Sequence, residues 1–381
     1  MTGPATRHKL LYLVSEDWYF VSHRLSLAIA AQAAGYDVSV ATRVTKDGDT
    51  IRDAGLKLLP LTFERSGLGP VSEARTLARL IALYRQERPD LVHHVALKPV
   101  IYGSMAARAA GVGGVVNALM GLGFVFSSDS AKARALRPAV RSALKVALKG
   151  PNTRLIVQNR DDQTLIASQS LARANDLRLI RGSGVEPDDF PMVPSPPGPP
   201  LIVLPARLLK DKGVEEFVSA AKILKARGVD ARFALVGDPD LRNPASISPA
   251  TIAAWVASGS VEHWGWQPQA SMPEIFGQSR VVCLPSYREG LPRALLEAAA
   301  CGRAIVATDV PGCREVVRHG VNGWLVPPRD AMALASALLE AIERPELCAR
   351  YGAAGRALIE QELSAGHVIA ETLAVYRELH S

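Results

Sequence analysis

Apolar residues in this chain gather in short runs, and between the runs they recur every third or fourth position. The runs at 10–15, 37–42, 56–59, 91–94, 115–118 and 153–158 have the length and composition of buried parallel strands. The segments between them, such as 25–34 and 74–85, carry Ala, Leu and Arg at helical spacing. This alternation predicts a doubly wound α/β domain. Residues 190–200, FPMVPSPPGPP, can form neither a helix nor a central strand and predict a stiff interdomain linker. Strand-like runs then resume at 201–205, 231–237, 261–264, 281–285, 304–308 and 323–326, and three helical segments follow at 331–342, 347–362 and 365–379. The expected organisation is a Rossmann-like domain over 1–190, a linker over 191–200, a second Rossmann-like domain over 201–363, and a C-terminal helix over 364–381 returning to the first domain. Two such halves imply a cleft with ligands at the carboxyl ends of the strands.

Composition narrows the class. A chain of 381 residues exceeds one typical core, and its 48% apolar and 21% charged content is that of a soluble globular protein. The polar N-terminus has no signal-peptide pattern, and no run reaches the ~20 apolar residues of a membrane span. Cys283, Cys301, Cys313 and Cys348 lack paired spacing and read as structural thiols of a reduced, cytoplasmic protein. The net charge of +7 is uneven: residues 1–190 carry +8 and the remainder −1. That asymmetry fits a solvated surface or an anionic partner, such as a membrane face or a diphosphate. Basic residues are not interleaved with aromatics and no nucleic-acid motif occurs, so nucleic acid is not an expected partner.

Chemistry concentrates at 286–297, SYREGLPRALLE, which follows an apolar run and leads into a helical pattern. Glu289 and Glu297 stand eight positions apart; helical rise would separate their backbones by about 12 Å. That span suits a grip on two ends of an extended polar ligand. Gly290 would allow close backbone approach, and a helix start offers N–H groups to an anion. Arg207 and Lys212 follow the strand at 201–205 and can bind phosphate, one bidentately and one as a point charge. Gly237 ends another predicted strand.

Together with the texts around 182–186, 263–267, 285–292, 296–298, 311–315 and 322–323, these residues resemble the family-four retaining glycosyltransferases of the GT-B fold. The resemblance implies α/β architecture, two Rossmann-like domains facing a central cleft, and transfer from a nucleotide sugar. It implies that Arg207 and Lys212 bind the donor diphosphate, aided by the backbone of Gly290 and Leu291. Glu289 would hold the donor sugar, Glu297 the ribose, and Trp266 would lie near the base. No metal and no other cofactor is implied, and Asp47 with Asp49 and Asp238 with Asp240 read as turns rather than metal motifs.

The first half departs from the family pattern. Where many relatives carry a catalytic histidine, this chain has Met120 within 117–124, NALMGLGF. The variant text (DWYFxSHR, HxxxKPxxYG, GLGFxF) resembles the branch that builds bacterial surface polysaccharides on polyprenyl diphosphate. His94, expected at an open strand end, becomes the first candidate for a catalytic or sugar contact. His23, Arg24 and Lys98 become acceptor candidates, and His93 a packing residue. Residues 132–154 hold seven basic residues and no acid, with Leu136, Val140, Leu144 and Leu148 at helical spacing. This predicts a basic amphipathic helix that either lies on an anionic bilayer or packs on its own domain. The resulting expectation is an EC 2.4 hexosyltransferase using a UDP-sugar and a lipid-linked acceptor, peripheral on the inner face of the cell membrane. A GT-B nucleotide-sugar epimerase and a non-catalytic nucleotide-sugar-binding partner are the alternatives.

Overall fold

A computed structural model describes residues 7–62, 70–120 and 131–379. The chain divides into two compact units, Met1–Ser183 with Val368–Ser381, and Gly184–His367. In the first, seven parallel strands form one sheet: β1 Lys9–Glu16, β2 Asp37–Arg43, β3 Lys57–Pro60, β4 Leu91–Val95, β5 Gly114–Leu119, β6 Thr153–Val157 and β7 Leu177–Leu179. Their order is β3-β2-β1-β4-β5-β6-β7, so the winding direction reverses between β1 and β4. The pattern predicted the first six; β7 is a three-residue edge strand with no apolar run to announce it.

Strand β1 explains why the runs look continuous rather than alternating. Leu10, Tyr12 and Val14 join one buried cluster, while Leu11 and Leu13 join another. A sheet covered on both faces has no polar side to alternate with.

Two acidic residues tie the end of β1 to its neighbour. Glu16 accepts from Arg43 Nε at 3.1 Å and Nη2 at 2.8 Å. Asp17, the first residue of the helix Asp17–Ala33, accepts from Thr45 Oγ1 at 2.5 Å and from the N–H groups of Thr45, Lys46 and Asp47 at 2.7–2.8 Å. Asp47 and Asp49 thus stand at the start of the short helix Gly48–Asp53, with Asp49 paired to Arg52. Residues after Val368 are fastened to this unit. Tyr376 OH lies 2.8 Å from Tyr12 OH and 2.6 Å from His93 Nδ1, and Glu378 pairs with Arg154 and Arg178.

The predicted basic helix runs over Ala131–Leu148 and stops there; Arg154 belongs to β6, where it pairs with Asp176. Leu144, Ala147 and Leu148 are buried and Val140 packs against their cluster, so the apolar stripe is spent on the unit's own core. Arg134, Arg141, Lys145 and Lys149 remain exposed. The side chains of Lys132 and Leu136, and the stretch 121–124, lie outside the described residues. No helix among the described residues is long and apolar enough to cross a membrane.

The second unit has six parallel strands: β8 Leu201–Pro205, β9 Arg232–Val236, β10 Glu262–Gly265, β11 Val281–Leu284, β12 Ala304–Thr308 and β13 Gly323–Val326. The order is β10-β9-β8-β11-β12-β13, reversing between β8 and β11. The proline-rich stretch 191–200 lies inside this unit. Two arginines hold the segment around it. Arg356 Nη1 donates to Pro187, Phe190 and Ala300 carbonyls at 2.7–2.9 Å, and Arg303 donates to Ser195 Oγ at 3.0 Å and to Val193 O. All four cysteines are buried and free, and burial pushes each thiol above its ordinary range.

Asp17 carries a stability test. Burial opposes its charge, but the Thr45 hydroxyl and three N–H groups outweigh this and hold its carboxyl well below the usual range. A depressed folded pKa contributes stability above the unfolded value, and loses it as pH falls through the folded one. Asp17→Ala is therefore expected to cost roughly 3 kcal/mol near neutrality, and the gap from wild type should shrink in acid. Urea titrations at pH 7 and pH 3 measure both.

Candidate active site

In the second unit, close packing of backbone builds the site. Gly213 has φ +70°, and a Cβ there would sit 2.0 Å from Pro285 O; at Gly237, φ +141°, it would sit 2.1 Å from Ala206 O. The loops after β8, β9 and β11 are therefore in backbone contact at their glycines. The short turn Lys210–Lys212 lies against the stretch after β11: Tyr287 N donates to Asp211 O at 2.9 Å, and Arg288 pairs with Asp211 at 3.4 Å. Lys212 Nζ then meets Glu289 Oε1 at 2.6 Å, with both side chains mostly buried. Two residues 77 positions apart in sequence become one charged pair.

The helix that follows spans Arg293–Ala300 and is preceded by Pro292. Only Glu297 of the two glutamates is helical, so helical rise does not set their separation, contrary to the sequence-based estimate. Gly290 owes its importance to packing: a Cβ on Gly312 would lie 2.5 Å from Gly290 O, so these two backbones touch. Gly290 itself is not among the glycines with positive φ. Leu291 is half-buried against the core.

A cavity of about 450 Å³ in the same unit is lined by Arg207, Gly237, Asp240, Trp266, Gln269 and Glu297 among others, and Lys212, Glu289, Gly290 and Leu291 are not part of its lining. Four sequence candidates (Arg207, Gly237, Trp266 and Glu297) thus share one wall system. Trp266 is 66% exposed, a large indole face left open beside the cavity. Arg207, 56% exposed at its side chain, donates to Asp240 Oδ2 at 3.1 Å. Asp238 lies 3.5 Å from His263, whose Nε2 meets Gly237 O at 2.9 Å. Both Asp238 and Asp240 are thereby engaged by side chains of their own unit.

Sequence reasoning missed Arg293 and Gln269. Glu297 is 4% exposed at its side chain, and accepts from Arg293 Nε at 2.7 Å and Gln269 Nε2 at 2.5 Å. Burial raises its pKa, with Arg293's charge and the two hydrogen bonds working against the rise. Arg293 stood four residues before Glu297, the helical spacing that brings side chains together, so its pairing was readable. Gln269 had no such signal.

In the first unit the candidates do not converge. His94 is a correction: it is 0% exposed, with Nε2 3.0 Å from Tyr84 OH and Nδ1 2.8 Å from Asn117 Oδ1. Burial, partly offset by Asn117, lowers its pKa to about 4. A neutral ring with both nitrogens satisfied inside the sheet cannot reach a substrate. His93 packs as expected; burial, with Arg24's charge adding to it, holds it far below the ordinary imidazole range. His23 stacks on Tyr19 at 4.2 Å and bonds Ser22 Oγ at 2.6 Å. Lys98 is held by Glu73 at 2.9 Å. Arg24 is buried, and its Nη2 donates to Met120 Sδ at 2.9 Å.

Comparison with known proteins places these features. Residues 9–159 match the family model described as Glycosyl transferase 4-like, and residues 185–358 the one described as Glycosyl transferases group 1. The chain is a glycosyltransferase that joins these two domains in the GT-B architecture. A Campylobacter jejuni N,N'-diacetylbacillosaminyl-diphospho-undecaprenol alpha-1,3-N-acetylgalactosaminyltransferase is 27% identical over 78% of this chain and 79% of its own length. An Escherichia coli UDP-Gal:alpha-D-GlcNAc-diphosphoundecaprenol alpha-1,3-galactosyltransferase is 27% identical over 71% of this chain and 70% of its own. Sucrose-phosphate synthase from Thermosynechococcus elongatus shares the fold with TM-score 0.82 at 20% identity, covering 98% of this chain and 99% of its own. Anabaena HepE, solved with UDP and glucose, gives 0.76 at 20% identity over 97% and 100%.

The Arg293–Glu297 pair supports a stability test. Removing Arg293 leaves a buried carboxylate with Gln269 as its remaining partner among those described here, so Arg293→Ala is expected to cost roughly 3 kcal/mol. The double variant Arg293→Ala/Glu297→Ala should cost less than that single one. Because Glu297's folded pKa is raised, the native state holds its proton longer than the unfolded chain does. The Arg293→Ala penalty should therefore be smallest in acid and grow as pH rises through that pKa. Unfolding curves at pH 5 and pH 8 supply the comparison.

Proposed function

We propose that this enzyme moves a sugar, with retention of configuration, from a UDP-sugar to a saccharide carried on polyprenyl diphosphate during assembly of a bacterial surface glycan. The observation that carries the reading is the cavity lined by Arg207, Trp266 and Glu297, in the unit that also holds the Lys212–Glu289 pair. Two relatives named for undecaprenyl-diphosphate-linked substrates support the acceptor, and the UDP complex of HepE supports the donor.

The residues divide the work by charge. Glycosyl transfer places growing negative charge on the departing diphosphate, and fixed cations aimed at that charge lower the barrier. Arg207 and Lys212 supply them, with the backbone of Gly290 and Leu291 alongside. Glu289 accepts from hydroxyls of the donor sugar, and Glu297, its orientation set by Arg293 and Gln269, accepts from the ribose. Trp266 offers its exposed face near the base. In this reading arginine and lysine neutralise the diphosphate, and no metal is required.

Each cation is paired with a carboxylate, Arg207 with Asp240 and Lys212 with Glu289. The diphosphate must exchange places with at least the first. Arg207–Asp240 is largely exposed, and such pairs contribute at most about 1 kcal/mol, so the exchange is cheap. The exposed cations of the helix Ala131–Leu148, Arg134, Arg141 and Lys145, suit the anionic inner face of a membrane where such an acceptor resides.

Arg207→Ala should lower turnover by roughly 10²–10³ with a Tm near that of wild type, and Lys212→Met should lower turnover similarly while also lowering Tm, because it leaves the mostly buried Glu289 without its cation. Near-normal turnover in both would defeat the assignment. Asp240→Asn should tighten UDP binding by a few-fold in calorimetry, up to the limit an exposed pair can contribute. Transfer should survive EDTA. Changing Arg134, Arg141 and Lys145 to Glu should abolish flotation with anionic vesicles while leaving transfer to a soluble acceptor unchanged.

A further inference from the structure

The helix Asp17–Ala33, which follows β1, opens with three aromatic rings in mutual contact, and one of them has no core to join. Tyr19 stacks on His23 with ring centroids 4.2 Å apart and planes 7° from parallel, and Trp18 meets Tyr19 edge-on at 5.9 Å. Tyr19 packs against a buried cluster of the first unit. Trp18 belongs to none of that unit's buried clusters and leaves 36% of its surface open. Among the described residues its indole N–H has no hydrogen-bond partner. Beyond the helix's own bonds, only its backbone is engaged: the N–H donates to Asp17 Oδ1 and the carbonyl accepts from Ser22 Oγ, both at 2.8 Å. One exposed apolar side chain is ordinary, so its setting must decide.

The setting is the carboxyl end of β1, where the first sheet reverses its winding toward β4. In open α/β sheets ligands bind outside the carboxyl ends of the strands, at such a reversal. The backbone that carries Trp18 is also fixed. Its neighbour Asp17 is 0% exposed and accepts from the N–H groups of Thr45, Lys46 and Asp47 at 2.7–2.8 Å. Glu16, one residue earlier, is held by Arg43. An indole with two rotatable bonds on a pinned helix start loses little freedom when a ligand settles on it.

An indole face carries the negative side of the ring quadrupole, and its N–H is a donor at the rim. One face of a pyranose presents polarised C–H groups, and hydroxyl oxygens surround it. The two match in both respects. A diphosphate would use only the N–H, and a prenyl chain only the face. We propose that Trp18, backed by Tyr19 and His23, is a stacking shelf for a pyranose ring of the acceptor saccharide. Assigning the ring to the acceptor rests on the function proposed above; the donor candidates Arg207, Trp266 and Glu297 line a cavity of the other unit.

The test uses the full chain, Trp18→Ala and Trp18→Phe, with UDP and two water-soluble ten-carbon prenyl diphosphates. One is bare and the other carries N-acetylglucosamine on its outer phosphate. Calorimetry reads affinity and thermal melting reads the fold. Wild type should bind the sugar-bearing compound roughly tenfold more tightly than the bare one. Trp18→Ala should lose about that factor on the sugar-bearing compound, and nothing on the bare compound or UDP. A merely structural Trp18 would weaken all three together. Trp18→Phe keeps a ring face without the N–H and should fall between. The shelf is overturned if Trp18→Ala binds the sugar-bearing compound as wild type does, or weakens on the bare compound or UDP as much. Equal wild-type affinity for the two prenyl compounds overturns it as well. Should Trp18→Ala fail to fold, Trp18→Phe decides: a loss confined to the sugar-bearing compound supports the shelf, and no loss overturns it. A loss so confined, in an enzyme that transfers no sugar, would strike at the proposed activity and leave the shelf in place. Transfer by Trp18→Ala with unchanged acceptor KM would do the reverse.

Discussion

The chemistry of the second unit rests on two places where backbone meets backbone. Gly213 lies against the carbonyl of Pro285, and Gly237 against that of Ala206, each at a separation that leaves no room for a methyl group. Through these contacts the loops after β8, β9 and β11 hold their positions by hard-sphere exclusion. Side-chain packing would give looser control, since side chains can shift rotamer. The Lys212–Glu289 pair and the wall carrying Arg207 inherit that precision. Any side chain at Gly213 would separate the loops before it altered a single charge.

The electrostatic design of the site follows a second rule. Its cations are each held by a carboxylate, at a cost in affinity but with a gain in order. An unpaired Lys212 beside a half-buried loop would be free to sample rotamers and to draw the loop with it. Held by Glu289, it is already near the position that an oxyanion would demand. The exposed Arg207–Asp240 pair and the more buried Lys212–Glu289 pair differ in how easily they yield. Exchange at the first is cheap, whereas the second is better suited to stay and orient the sugar-binding carboxylate.

The fold was readable because both sheets are parallel and covered on two faces, which turns strands into apolar runs bounded by helical periodicity. Twelve strands announce themselves in that way. The three-residue β7 does not, since an edge strand so short needs no run. The loop 286–292 was legible because glycine, proline and glutamate occur there in a pattern that local chemistry explains. His94 was misread for an instructive reason. Period-two reasoning separates the faces of a strand but says nothing of depth, and in an interior strand of a covered sheet both His93 and His94 are buried. Gln269 was illegible because its partner Glu297 is 28 residues away and nothing local marks the contact.

The four cysteines have a practical consequence. Each is buried with its thiol pushed up by the apolar surroundings, and thiolate is the form that reacts. In the folded protein at neutral pH they are therefore expected to react slowly with alkylating reagents. A single cysteine introduced at an exposed position would then be the one site a maleimide dye finds, with the native four left in place. Fluorescent labelling for binding or distance measurements can begin from the unmodified background.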